Sequence, residues 1–404
     1  MTKSAPKFSS LEKKSLTLHL IDSLEAFQSL QMDWDALYDK CERNSIFSSW
    51  DWAFTWWEVF KDHFERELFI LGLYQDKKLV GIAPFQICKS SLAKSLVQGK
   101  TLQFIGNGES FDDSIISEFQ DFIVLPEFES EMIQRVSKYL IEHSNKWNFA
   151  DFEFLLQDAL ILQCFNNSSS NSKSVDRYEM EYGVRFSIPK MESFEQYHEQ
   201  MGKRWKKMYT KKNSKLLRAG EVRTESTQTL DAIKPALAQL ADMNCSRWKE
   251  RTGNCIFDSS RFVDFHQKIM VRLIPKNRAA IKTLYLEDEA LASYYIFTDK
   301  DQIHYYQSGF NAKYGNRYSP LFLLVCNEIG ESIKNNKMFD FMFADDANSY
   351  KKDQYSCQHE PMYRLRWSTQ KYRLPLWHSA KYAQNTVMGL KDKLVEKMND
   401  KRGR

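Results

Sequence analysis

The chain has 404 residues, 43% of them hydrophobic and 14% aromatic, which is too rich in core-forming side chains for extensive disorder and too long for one growing core, so two domains are expected. A formal net charge of +4 excludes a molecule that is basic all over, as a nucleic-acid-coating protein would be. Met1 to Ser15 is polar and basic without a secretory apolar run, and no stretch approaches a membrane span, so a cytoplasmic location is expected.

In chain order, Leu16 to Leu20 reads as a strand and Ile21 to Lys40 as one amphipathic helix containing Trp34 and Leu37. Ser48 or Ser49 suits the N-cap of a densely aromatic helix reaching Phe60, whose Trp52, Trp56, Val59 and Phe60 recur at helical spacing and predict packing on a sheet. Leu68 to Tyr74 and Leu79 to Cys88 form a hairpin. A turn-rich connection through Gly106-Asn107-Gly108 leads to a helix from about Glu127 to Lys146 and a strand from Phe149 to Leu156. The Asn- and Ser-rich run Asn166 to Ser174 is the linker signal, placing domains at 1–175 and 176–375, with 376–404 as a charged amphipathic helix and tail.

The second half opens with a strand near Phe186 and a helix from Phe194. From Lys203 to Arg218 there are eight Lys or Arg residues and no acid. A helical reading puts Arg204, Lys207, Lys211, Lys215 and Arg218 on one stripe and Trp205, Met208, Tyr209 and Leu216 on the other. Gly220 is placed as its stop. Helices over about Asp231 to Arg251 and Ser260 to Leu273 precede three strands, Ala280 to Leu286, Leu291 to Thr298 and Gln302 to Ser308. Ser319-Pro320 reads as a hydroxyl cap followed by proline at the first helical position, opening a helix to about Asn335 before a last strand, Met338 to Phe343.

Two stretches look like copies. Leu73 to Val80 reads as strand, charged turn and strand, and Leu284 to Leu291 repeats it; Asp151-Phe152-Glu153-Phe154 closes the first half and Asp340-Phe341-Met342-Phe343 the second. Two related α/β (α+β) domains in tandem, with mixed, mainly antiparallel sheets flanked by helices, are therefore expected, with a ligand cleft between them. Seven scattered cysteines, an odd number without metal-ligand spacing, predict reduced buried thiols and no metal.

The order of meander, loop, helix and strand, with Tyr305-Tyr306-Gln307-Ser308-Gly309-Phe310, Tyr314, Tyr318-Ser319-Pro320, Phe339-Asp340-Phe341 and Tyr350-Lys351, resembles the GNAT-fold acyltransferases of the CelD-like family of exopolysaccharide and cellulose biosynthesis, distant relatives of FemAB-type transferases. Phe47-Ser48 with Trp56-Trp57 is similar to that family's first-domain signature, so the resemblance spans roughly Phe47 to Tyr355. Two departures are Leu321, where the family continues Ser-Pro with Gly, and Phe343-Ala344-Asp345, where an Arg-Gly pair is common.

What the resemblance implies is tandem GNAT-like domains, acetyl-CoA or another acyl-CoA as co-substrate, and Lys351 as a grip on an acidic or phosphorylated acceptor. Tyr314, Gly315, Asn316, Arg317, Tyr318 and Ser319 lead into a helix N-terminus suited to a pyrophosphate. Period-two alternation in Gln302 to Ser308 places His304, Tyr306 and Ser308 on one face and Ile303, Tyr305 and Gln307 on the other, so the His304 face is expected to border the thioester, with Tyr306 against substrate. His304, Asp345 and Asp346 are candidate bases and Tyr350 a proton donor to the thiolate. Arg204 and Lys207 are candidates for holding a nucleotide-linked or lipid-pyrophosphate-linked sugar or an anionic polymer end.

The expected function is acyl transfer, with acetyl the favoured group, from acyl-CoA to an amine, in preference to a hydroxyl, of a cell-envelope or exopolysaccharide precursor. Polysaccharide-assembly proteins are candidate partners. The same basic helix suits a Fem-type enzyme taking its group from aminoacyl-tRNA, and the two departures suit a non-catalytic component of polysaccharide assembly.

Overall fold

The structure, a computed structural model, describes residues 15–43, 45–92, 97–165 and 176–368. The linker signal at Asn166 to Ser174 and the tail from 376 onward lie outside the described residues.

Among the described residues one mixed sheet contains β1 (Leu16–Ile21), β2 (Arg66–Gln75), β3 (Lys78–Leu92), β4 (Val97–Phe104), β5 (Ile123–Val124), β6 (Phe149–Leu156), β7 (Asp176–Ile188), β8 (Val222–Ser226), β9 (Ala279–Leu286), β10 (Glu289–Thr298), β11 (Gln302–Phe310), β12 (Met338–Ala344) and β13 (Gln358–Ser368). Their order is β1-β2-β3-β4-β6-β13-β7-β12-β11-β10-β9-β8, with β5 on β3. The flanking helices are α1 (Leu24–Ser29), α2 (Gln31–Tyr38), α3 (Trp50–Phe60), α4 (Glu129–Glu142), α5 (Phe194–Gln200), α6 (Lys203–Leu217), α7 (Ile233–Thr252), α8 (Ser260–Leu273), α9 (Ala312–Tyr318), α10 (Pro320–Lys334) and α11 (Tyr350–Tyr355).

The expected repeat is visible in the topology. In each half an antiparallel meander, β2-β3-β4 or β9-β10-β11, ends on a strand that pairs in parallel with one formed after a helix, β4 with β6 and β11 with β12. The halves are joined by a returning strand. β7, which opens the second half, pairs with β12 and with β13, and β13 reaches back onto β6 of the first half.

Buried ion pairs lock these pairings. Arg364 of β13 grips Asp151 of β6 through Nε at 2.7 Å and Nη2 at 2.5 Å, and Arg185 of β7 grips Asp340 of β12 through Nη2 at 3.0 Å. A third joint is apolar. Trp52 of the aromatic helix α3 packs edge-on against Phe265 of α8 and Phe297 of β10, with centroids 4.9 and 5.1 Å apart. Large aromatic side chains fully removed from water dominate such an interface.

Three expectations are corrected. Ile21 stays in β1, paired with Ile70, and Ser23 caps Ala26 N at 3.2 Å, so the single helix over Ile21 to Lys40 becomes α1 and α2. Ser319 does not cap α10: it adopts the left-handed conformation (φ 52°, ψ 54°), and its hydroxyl bonds none of the first-turn amides. Cys245 and Cys255 form a disulfide across the C-terminal end of α7, while the other five thiols are free and buried.

Candidate active site

The parallel pairing of β11 and β12 covers only Gln302↔Met338, Ile303↔Phe339 and His304↔Asp340 before the strands part. On β11 the register against β10 slips between Tyr305 and Gln307, leaving Tyr306 as the extra residue of a bulge. On β12, Met342 turns left-handed at φ 61°. A cleft of about 550 Å³ opens where they diverge, lined by Tyr305 and Phe341 from the strands, Gly315 and Asn316 from α9, Pro320 to Phe322 from α10, Tyr350 and Tyr355 from α11, and Arg247 from α7.

Parting strands orphan backbone groups, and each must find a partner when buried. Charged side chains supply them. Asp340 Oδ1 accepts the Met342 amide at 2.7 Å, Glu118 accepts the Phe343 amide at 2.9 Å, and Lys351 Nζ donates to the Phe341 carbonyl at 2.8 Å. Glu118 comes from the first half. Burial pushes its carboxyl up to about 8, Asp340 pushing the same way; burial likewise lowers the Lys351 ammonium. Asp340 is different: although burial opposes it, the Arg185 guanidinium and His304 hold its carboxyl well below the usual carboxylate range.

Because Ser319 leaves α10 without a side-chain cap and Pro320 has no N–H, the first free amides of the helix are those of Leu321 and Phe322, both on the cleft wall. Such a helix end favours an anion. Gly315 allows a close approach there, since a Cβ would sit 2.8 Å from the Phe310 ring. On the far wall, Asn244 Nδ2 donates to the Ser308 carbonyl at 2.7 Å, and the Arg247 guanidinium lies over Phe310 at 5.7 Å.

The predicted site residues divide. Gly315, Asn316, Ser319 and Tyr350 meet in the cleft. Tyr314 and Arg317 turn instead to Tyr318, which Tyr314 stacks on at 6.0 Å and Arg317 covers at 4.9 Å; all three lie in α9 rather than in an open loop. The expectation that the His304 face borders the cleft is corrected. His304 is fully buried against Phe47 and Phe119, its Nδ1 3.0 Å from Asp340 Oδ2, and the Tyr306 hydroxyl donates to the Ile115 carbonyl of the first half; Tyr305, from the opposite face, reaches the cleft. Asp345 and Asp346 are exposed beyond the end of β12, where Asp346 accepts the Asn348 amide at 2.5 Å. The Lys351 ammonium is occupied by backbone carbonyls.

Arg204 and Lys207 are exposed on α6, whose Met208 contributes to the cleft wall. Among the described residues no Lys or Arg of α6 forms an ion pair with a carboxylate, whereas Lys190, Arg223 and Lys282 outside it do. Lys212 Nζ donates to the carbonyls of Asn316 and Arg317, tying α6 to the end of α9. Also among the described residues, no group of His, Cys, Asp and Glu is placed to hold a metal, and no helix is long and apolar enough to cross a membrane.

Comparison with known proteins agrees with this geometry. Residues 203–352 match the acetyltransferase (GNAT) domain family. The match covers 150 of the 404 residues, all of them in the second half. The fold is similar to that of FemX, with a TM-score of 0.57 at 11% identity over 86% of this chain and 97% of that one. It is similar as well to L-PGS from Bacillus licheniformis, with a TM-score of 0.51 at 12% identity over 86% and 94%. No curated protein matches the chain by sequence.

Glu118, Arg185, Asn244 and Arg247 were absent from the sequence-level candidates. The one available signal was Asp340, an acid set among aromatics in a core strand and repeated at Asp151, since a buried acid demands a cationic partner somewhere in the chain.

Proposed function

We propose that the GNAT domain of this protein transfers an acyl group, in the first instance acetyl, from acyl-CoA to an amine, in preference to a hydroxyl, of a cell-envelope or exopolysaccharide precursor in the cytoplasm. One observation carries the reading: the cleft lies where β11 and β12 part, with the uncapped end of α10 on its wall. The amides of Leu321 and Phe322 and the Arg247 guanidinium suit the pyrophosphate of the donor, and the apolar faces of Tyr305 and Phe341 suit its pantetheine arm. The CelD-like resemblance supplies the acceptor class.

In this reading the amine attacks the thioester carbonyl directly, the carbon–sulfur bond breaks, and the backbone N–H groups released by the β11 bulge polarise the carbonyl oxygen. A lysine-like amine is roughly 4.6 kcal/mol from its free form at pH 7, so a base at the mouth has work to do. Asp345 and Asp346, exposed just beyond β12, are the carboxylates assigned to receive that proton through water. Tyr350, protonated at neutral pH, returns one to the departing thiolate.

Calorimetric titration of the purified protein with acetyl-CoA and CoA tests this directly. Micromolar binding weakened by Arg247→Ala is the expected result; no binding of either, with no acyl-CoA turnover on a panel of amines, overturns it.

A second reading has its own observation. Eight cations on and just after α6 that have no acidic partner among the described residues, beside a cleft in a FemX-like fold, suit an aminoacyl-tRNA donor. Binding that distinguishes charged from uncharged tRNA and falls steeply with salt would favour it.

A further inference from the structure

The segment between β4 and β5 belongs to the first half, yet two of its residues reach the strands that frame the site of the second. In the first half β4 and β6 also part after a short parallel stretch, Thr101↔Phe149 and Leu102↔Ala150. This segment runs into the gap: the Phe119 amide donates to the Phe154 carbonyl at 3.0 Å, and Gln120 Nε2 donates to the Ile105 carbonyl at 2.6 Å. Its other side faces the second half. Ile115 accepts the hydroxyl of Tyr306, the bulge residue of β11, and Glu118 accepts the amide of Phe343, at the bulge of β12. Three residues apart, Ile115 and Glu118 therefore hold the two strands whose separation makes the cleft.

The backbone between them is strained. Ile116 adopts φ 52°, rare for a β-branched residue, and Phe119 adopts φ 57°. Surroundings that over-determine a conformation are needed to keep such residues in place. Here they are Ser117 Oγ, which donates to the Gly106 carbonyl at 2.7 Å, and the Trp52 indole, which donates to Ser117 Oγ at 2.8 Å. Glu118 itself is 2% exposed and faces Lys351, Asp340, Arg185 and Tyr306. A carboxyl group so buried is costly, and a bond from one backbone amide two strands' breadth from its own half is a specific use for it.

We infer that Glu118 is a positioning residue for the second half's reaction: from the first half it fixes the β12 bulge and so sets the width of the donor cleft. The inference rests on the cleft being the donor site, but its structural arm can be tested separately. Glu118 does not line the cleft and acts through Phe343 and, across the bulge, through the lysine that binds the carbonyls of Phe341 and Phe343.

The test compares Glu118→Ala and Glu118→Gln in the full chain by amide hydrogen exchange and by acetyl-CoA titration. Glu118→Ala is expected to speed exchange in peptides covering β12 at least tenfold while those of β2 and β3 stay unchanged. Glu118→Gln keeps an oxygen for the Phe343 amide and is expected to restore protection to within threefold. Acetyl-CoA affinity should follow, weaker by tenfold in the first variant and within threefold in the second. Unchanged β12 exchange in Glu118→Ala, or no rescue by glutamine, overturns the inference. If β12 opens but the wild type binds no acetyl-CoA, the positioning role stands and the donor reading falls. Should the alanine variant not fold, Glu118→Asp, one methylene short of the amide, replaces it, with β12 exchange expected to be faster than in Glu118→Gln; exchange no faster than that overturns the inference.

Discussion

Arg185 and Asp340 meet on neighbouring strands, β7 and β12, with Nη2 3.0 Å and Nε 3.1 Å from the same carboxylate oxygen, and both side chains are almost wholly buried. The pair joins a strand that follows directly from the first half to the strand bearing the cleft. Asp340→Asn keeps the size and removes the charge, leaving a buried guanidinium with Glu360 as its carboxylate partner among the described residues. The expected loss is about 3–5 kcal/mol, the range for breaking one side of a buried pair. Urea denaturation checks it, and a loss under about 1 kcal/mol would show the pair to be dispensable.

Stability should fall as pH rises from about 5 to 8.5. Burial raises the carboxyls of Glu109 and Asp121 to about 7 and that of Glu118 to about 8. In the unfolded chain these groups ionise near 4, so across this window the native state holds more protons and stability is lost as pH passes through the folded values. Asp340, held low, acts oppositely, and its contribution disappears only as the solution becomes strongly acidic. Thermal melts should peak near pH 5, and Glu118→Gln should flatten the upper part of the profile.

Gly309→Ala should be poorly tolerated. A Cβ there would stand 2.6 Å from the Asn244 amide nitrogen and 2.6 Å from the Met243 Cβ, so α7 must move off β11. Overpacking of this kind costs about 1–3 kcal/mol. Because Asn244 and Arg247 move with the helix, the melting temperature and the donor affinity should fall together; a variant with unchanged melting would show α7 to be loosely seated.

Arg247→Ala should weaken acetyl-CoA about tenfold, equivalent to about 1.4 kcal/mol, with little effect on stability. Its guanidinium lies over Phe310 on the cleft wall. An affinity unchanged within twofold would take Arg247 out of the donor site.

The thiols offer an inexpensive check on α7. Titration of the unfolded, unreduced protein should find five free thiols, and prior reduction should raise the number to the seven in the sequence. Seven before reduction would mean that Cys245 and Cys255 stay reduced.

Much of the architecture was legible because its signals are local. The hairpins, the aromatic helix α3, the basic helix α6 and the strand Phe149–Leu156 each announce themselves by periodicity and flanking turns. β4 and β13 were not read as strands. Gly99 and Lys100 interrupt β4, and His359, Glu360, Pro361, Arg364 and Arg366 give β13 the composition of a surface segment. Arg364 and Arg366 are buried because Asp151, more than 200 residues earlier, meets them. The same limit applies to the site. Gly315, Asn316, Ser319 and Tyr350 come from the segment around one helix start and the loop after β12, but Glu118 reaches the cleft's framework from across the molecule. His304 misled because alternation along a strand names two faces without saying which one meets the cleft.

The return of β13 to the first half has a consequence for how the chain is made. When β6 and β7 leave the ribosome, the strand that belongs between them, β13, is still some 170 residues from synthesis. Until it arrives, the first half carries an open strand edge with Asp151 uncompensated by Arg364 and Arg366, a surface prone to pairing with the wrong partner. Closure of the sheet is therefore a late, chain-wide event. A nascent chain stopped short of Gln358 should bind chaperones and aggregate, and the molecule should gain its resistance to protease only when its last described strand is in place.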